Sequence, residues 1–95
     1  MFNLEYKTKF KKDLKLLKKR SEKDFNLLKQ FIKYLQINGY NGIPDKNKPH
    51  LLKGNYKGFC EAHIKPDLLL IWEEKIDTNI IILIRTGTHS DLFDK

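Results

Sequence analysis

Sulfur chemistry is nearly absent from this 95-residue chain, whose only cysteine is Cys60. A lone thiol closes no internal disulfide and builds no cysteine zinc site, so a reducing, cytoplasmic setting is expected. Proline is scarce (three) and glycine modest (five), and neither gathers into a linker. With no internal repeat either, a single domain over residues 1–95 is expected. No apolar run approaches the roughly 18 residues that cross a bilayer. The first residues alternate polar and apolar around lysines and form no signal-peptide core, so no membrane association is expected. Apolar residues (40%) and aromatics (12%) are in normal supply, which removes intrinsic disorder from consideration.

Acids are short in one part of the chain only. Residues 1–39 carry eleven Lys/Arg against four acids, a surplus of seven, while residues 40–95 carry eight of each sign. The whole net charge of +7 therefore belongs to the N-terminal part. A one-sided basic surface points to a polyanionic partner such as nucleic acid. A lysine-rich solvated helix face would have the same composition.

Phe2, Leu4 and Tyr6 alternate with Asn3, Glu5 and Lys7, the pattern of a half-buried strand. Thr8 is placed to cap a helix whose apolar positions are Phe10, Leu14 and Leu17. Ser21 with Asp24 resembles a capping box opening a second helix, striped by Phe25, Leu28, Phe31, Ile32 and Leu35 and ending near Gly39. Residues 40–49 read as loop. Three strands are then expected: Tyr56 to Ile64, Leu68 to Trp72 and Ile80 to Arg85, with a hairpin turn at residues 77–79 and a stop at Gly87. The last two are continuous apolar runs, as strands buried on both faces require. The expected class is α+β, with order β-α-α-β-β-β: a twisted, mainly antiparallel sheet with two N-terminal helices on one face. The short tail could add an edge pairing.

All three histidines, His50, His63 and His89, fall in the second half, together with Asp67 and Arg85. Singly, each is ordinary; a strand histidine is usually a satisfied structural residue. Grouped at the ends of neighbouring strands, they match what RNA cleavage needs. Imidazole serves as acid or base near neutrality. A carboxylate acts as base or orients a histidine, and a guanidinium fork fits a phosphate. Phe93 could stack on an unpaired base or simply anchor the tail. No histidine pair has helical i,i+4 spacing and no cysteine cluster joins them, so no metal and no cofactor is expected. Cys60 and Trp72 read as core fillers.

The stretch His50-Leu-Leu-Lys-Gly-Asn-Tyr-Lys-Gly-Phe59, then Glu61-Ala-His-Ile-Lys-Pro-Asp-Leu68, resembles the YafQ branch of the RelE toxin superfamily. Arg85-Thr-Gly-Thr-His-Ser-Asp-Leu-Phe93 is similar to the closing motif of that branch. The resemblance implies a metal-independent endoribonuclease, an mRNA interferase working on the ribosome. It implies a cognate antitoxin of the RelB/DinJ, ribbon-helix-helix kind, with DNA reached only through that antitoxin. By position it implies that His50, His63, Asp67, Arg85, His89 and Phe93 form the active site. His89 would be the acid, His63 or Asp67 the base, Arg85 the phosphate contact, His50 an assistant and Phe93 a base stack. Lys11, Lys12, Lys15, Lys18 and Lys19, with Lys53 and Lys57, would then contact RNA or the ribosome. Two positions depart from the pattern. Cys60 stands where relatives commonly carry arginine, and Leu68 where some carry tryptophan, so one phosphate contact and one stack are expected to be missing. A gyrase-directed toxin of the ParE type and a non-catalytic RNA- or ribosome-binding protein remain the alternatives. The first has no use for proton-transfer residues, and the second leaves the histidines without a purpose.

Overall fold

The computed structural model describes residues 1–93; the expected domain extends to residues 94–95, which lie outside the described residues. Strand β1 (Asn3–Tyr6) leads into helix α1 (Thr8–Arg20) and helix α2 (Glu22–Asn38). After two short 3-10 turns come β2 (His50–Leu51), β3 (Cys60–Lys65), β4 (Leu68–Lys75), β5 (Ile80–Gly87) and a short helix α3 (His89–Phe93). The five strands lie in the order β1-β5-β4-β3-β2. Only β1–β5 is parallel; the other pairs are antiparallel. This is the expected α+β arrangement with two additions, β2 and α3. No helix among the described residues is long and apolar enough to cross a membrane.

Phe10 and Leu17 of α1 are buried, as are Leu28, Ile32 and Leu35 of α2, so each stripe faces the core. Thr8 is not a cap but the first helical residue, and Lys7 at the cap position makes no side-chain bond. The sheet sets this boundary instead, because the Lys7 amide is still bonded to the Leu83 carbonyl at 3.0 Å. Between the helices, the extended Ser21 ends one and starts the other. Its amide donates to the Leu17 carbonyl, and its hydroxyl accepts from the Asp24 amide at 3.1 Å. Only half of the expected box forms, because the Asp24 carboxylate accepts from Lys65 Nζ at 3.0 Å. α2 stops at Gly39, as expected.

The strand expected from Tyr56 starts four residues late, at Cys60. Gly54 and Gly58 both take positive φ, so residues 54–59 fold into a loop that only glycine permits at those points. That loop returns the chain to Leu52, whose amide donates to the Phe59 carbonyl at 2.9 Å, and this closure creates β2. The tail forms α3, not an edge strand. Thr88 and Asp91 supply its capping contacts: the Thr88 amide donates to Asp91 Oδ2, and the Asp91 amide to Thr88 Oγ1.

Strand alternation sorts the sheet into two faces. One packs Cys60, Ala62, Leu68, Leu70, Trp72, Ile81 and Leu83 against the two long helices. The other gathers Leu69, Ile71, Ile82, Ile84 and Leu92 into a smaller cluster, flanked by Leu52, Tyr56 and Phe59. The second face has no long helix over it, and the polar groups converge there.

Candidate active site

Strand register places these groups. His50 pairs with Glu61, Glu61 with Ile71, and Ile71 with Arg85, so one row crosses four strands on the face away from the long helices. In the next row His63 pairs with Leu69, and Leu69 with Gly87, two residues before His89. A bulge in β5 is decisive for Arg85. Trp72 pairs with Leu83 and Ile71 with Arg85, which leaves Ile84 without a partner on β4. The extra residue shifts the alternation and brings Arg85 onto the same face as Glu61 and His63.

The three imidazoles form a line. His50 and His63 have ring centroids 6.2 Å apart, and His63 and His89 5.6 Å. The line continues through Phe93, 6.5 Å from His89, to Tyr56, edge-on at 6.1 Å. Phe93 is 46% exposed, so it is no buried anchor. Asp67 lies beside His89. Its Oδ1 sits 2.7 Å from His89 Nδ1 and also accepts from the His89 amide at 2.9 Å. Those bonds, the backbone one first, hold the Asp67 carboxyl below the usual carboxylate range. Asp67 thus fixes the ring of His89 and leaves Nε2 as the nitrogen that can meet a substrate.

At the other end stands Glu61, which sequence reasoning missed. It is 4% exposed, and its Oε1 lies 3.0 Å from His50 Nε2 and 3.9 Å from His63 Nε2. Its Oε2 is buried without a hydrogen-bond partner among the described residues. His50 Nδ1 faces the Lys48 carbonyl at 2.9 Å, and a carbonyl can only accept. The signal for Glu61 was available, since a residue two positions before His63 on a strand shares its face.

Arg85 is held by Asp13 of α1, another residue not anticipated. Its Nε donates at 2.7 Å and its Nη2 at 3.2 Å, and the Thr86 amide donates to the same carboxylate at 3.1 Å. Asp13, with a smaller contribution from Tyr56, raises Arg85 above its ordinary value and keeps it charged. Two of its donor directions are thus committed, and Arg85 stands at the far end of its row from His50. Gly87 has φ +148°, and a Cβ there would lie 2.7 Å from Asp91 Oδ2, so this position requires glycine. Asp91 accepts both Arg20 guanidinium nitrogens, at 2.7 and 3.2 Å, which ties α3 to the end of α1. Lys11, Lys12, Lys15, Lys18 and Lys19 are exposed on α1, and Lys53 and Lys57 on the loop before β3.

Both departures from the expected motif lie on the helix side. Cys60 is buried in the larger core, and burial, with the Glu74 charge, pushes its thiol up to about 12. Leu68 is buried in the same cluster. Neither position faces the imidazole line, so neither takes a contact away from it. No group of three or more His, Cys, Asp or Glu among the described residues has metal-holding geometry.

Residues 2–94 match the family described as bacterial toxin of type II toxin-antitoxin system, YafQ. The mRNA interferase toxin YafQ of Escherichia coli K12 is 41% identical over 91 residues, which covers 96% of this chain and 95% of the relative. A metal-bound toxin from Helicobacter pylori superposes with a TM-score of 0.84 at 42% identity, over 98% of this chain and 100% of that one. YafQ in the E. coli DinJ–YafQ complex superposes with a TM-score of 0.81 at 39% identity, over 98% and 99%. The chain therefore belongs to the YafQ family of bacterial type II toxin-antitoxin toxins.

Proposed function

We propose that this chain is a single-domain mRNA interferase that cuts mRNA on the ribosome, in the cytoplasm, without a metal ion. The observation that carries the reading is His89 held by Asp67 at 2.7 Å with His63 as its ring neighbour at 5.6 Å. This places two proton carriers side by side, one of them fixed by a carboxylate.

In the reaction, His63 takes the proton of the 2′-hydroxyl as that oxygen attacks phosphorus. The P–O5′ bond breaks, and protonated His89 gives its Nε2 proton to the leaving 5′-oxygen. The products are a 2′,3′-cyclic phosphate and a 5′-hydroxyl end. Asp67 acts as the orienting group of His89, since its depressed pKa makes it a poor base. Glu61 sits 3.0 Å from His50 Nε2 and faces His63 Nε2 at 3.9 Å, an acidic neighbour common to both rings. Arg85 offers its uncommitted edge to the phosphate charge, and Phe93, exposed next to His89, stacks on a base. The identity with an E. coli protein named mRNA interferase toxin supports the same substrate here. That relative forms a complex with DinJ, which supports a cognate antitoxin as this chain's partner; we take that antitoxin to be of RelB/DinJ, ribbon-helix-helix type and to be the chain's link to DNA.

His89→Gln and Asp67→Asn test the assignment. Loss of acid catalysis lowers the cleavage rate by about 10²–10⁴, and the asparagine variant falls less, since it disturbs orientation alone. The Helicobacter relative is metal-bound, so the rate is also measured with protein stripped of metal by EDTA and freed of the chelator before it meets the ribosome, and it is expected to be unchanged. Full activity of His89→Gln, or loss of cleavage by the metal-stripped protein, refutes the scheme.

A further inference from the structure

Beside the imidazole line, on the same face, lies a groove of about 440 Å³ lined by Lys7, Lys9, Tyr56, Phe59, Ile84 and Arg85, together with Thr8. We infer that this groove seats the base of a nucleotide flanking the scissile one, an inference that rests on the ribonuclease reading above. Three observations converge. Tyr56 and Phe59, with ring centroids 6.2 Å apart, and Ile84 give the groove an apolar floor of the kind on which bases stack. The exposed Lys7 and Lys9 and the partly buried Arg85 surround that floor, and no carboxylate lines it, so its charge suits a phosphate strand. The groove is also continuous with the active site: Tyr56 meets Phe93 at 6.1 Å, and Phe93 meets His89 at 6.5 Å.

The other groove next to Arg85 has the opposite character. It runs between α1 and α3, and its lining sets Asp13, Asp24, Asp67 and Asp91 against Arg20 and Arg85, which are already paired with Asp91 and Asp13, so it offers no cationic surplus to a polyanion. A strand leaving His89 is therefore steered over Phe93 and Tyr56 toward Lys7 and Lys9. Its volume falls in the range of small-ligand sites, and its floor is sequence-tolerant because every base has a π-face.

The experiment has two arms. In the first, the parent and Tyr56→Leu cleave ribosome-bound mRNAs that carry an abasic residue at each position flanking the cut in turn. One position is expected to cost the parent roughly tenfold or more, the range of a lost base–aromatic stack. Tyr56→Leu is expected to lose about as much on normal mRNA and little more when that same base is removed, while other positions stay additive. In the second arm, Lys7→Gln/Lys9→Gln, a double change at exposed positions that does not disturb the core, binds a 2′-deoxy oligonucleotide that cannot be cut. Its log–log salt slope is expected to fall by about 1.4 relative to the parent. An abasic penalty of equal size in the parent and Tyr56→Leu at every position overturns the inference, and so does an unchanged salt slope. Loss of antitoxin binding with oligonucleotide binding intact would make the groove a protein seat and overturn it too. A parent that cuts nothing refutes the nuclease reading instead, and the binding arm still reports on the groove.

Discussion

Glu61 is the least comfortable residue in the molecule. Its carboxylate is almost wholly buried with Oε2 unpartnered among the described residues, and an orphaned buried acceptor costs on the order of 1–3 kcal/mol. Its partner His50 is half exposed, so water can solvate that ring if the carboxylate is removed. Glu61→Leu is therefore expected to raise Tm by a few degrees, since about 1 kcal/mol moves a domain of this size by roughly 4–8 °C. Cleavage is expected to fall in the same variant, because His50 and His63 lose their common acidic neighbour. Thermal melts beside cleavage rates check this, and a lower Tm would show the carboxylate to be a net stabiliser. Cys60 makes the reverse point. Its burial in the helix-side core gives it packing without chemistry, as its residue type already implied.

At the scale of elements, α3 decides where His89 stands. Five residues cannot hold a helix by themselves; the contacts of Asp91 with Thr88 and Arg20 hold this one. The Arg20 hydrogen bond, the largest cause, brings the Asp91 carboxyl down to about 2. A carboxyl whose folded value is depressed stabilises the fold fully above its ordinary 3.8, and that stabilisation disappears as pH falls through about 2. Asp91→Asn is accordingly expected to melt below the parent at pH 7 and together with it near pH 2. The gap at pH 7 is small, because a partly exposed pair is worth less than about 1 kcal/mol. Melting curves across pH 2–7 measure it, and a gap that persists at pH 2 would assign the loss to packing. None of this was visible beforehand: Arg20 and Asp91 are 71 positions apart, and the tail read as an edge pairing.

Seen whole, the molecule has two working sides. Lys11, Lys12, Lys15, Lys18 and Lys19 of α1 belong to the helix layer, and the imidazole line lies on the opposite face of the sheet. Under the proposed function, one side rests on a large RNA while the other meets the strand to be cut. Replacing Lys11, Lys12, Lys15, Lys18 and Lys19 by glutamine is expected to weaken ribosome association and flatten its salt dependence. Co-sedimentation at several salt concentrations measures this; binding with an unchanged slope would reduce the lysines to a solvated helix face.

The amino-acid order alone determined the two long helices, the two buried strands, the hairpin turn and the side of the chain on which the charge falls. These depend on spacing within a few residues, where periodicity and glycine placement decide. It also marked His50, His63, Asp67, Arg85, His89 and Phe93, because their residue types match one chemistry and one family. Only the tertiary structure decided their company. Glu61 joined them through cross-strand register, Asp13 and Tyr56 through helix and loop docking, and Arg85 turned to their face because one bulge shifted its strand by a residue. Those placements come from pairings between residues far apart in the chain, and local patterns carry no record of which distant partner wins.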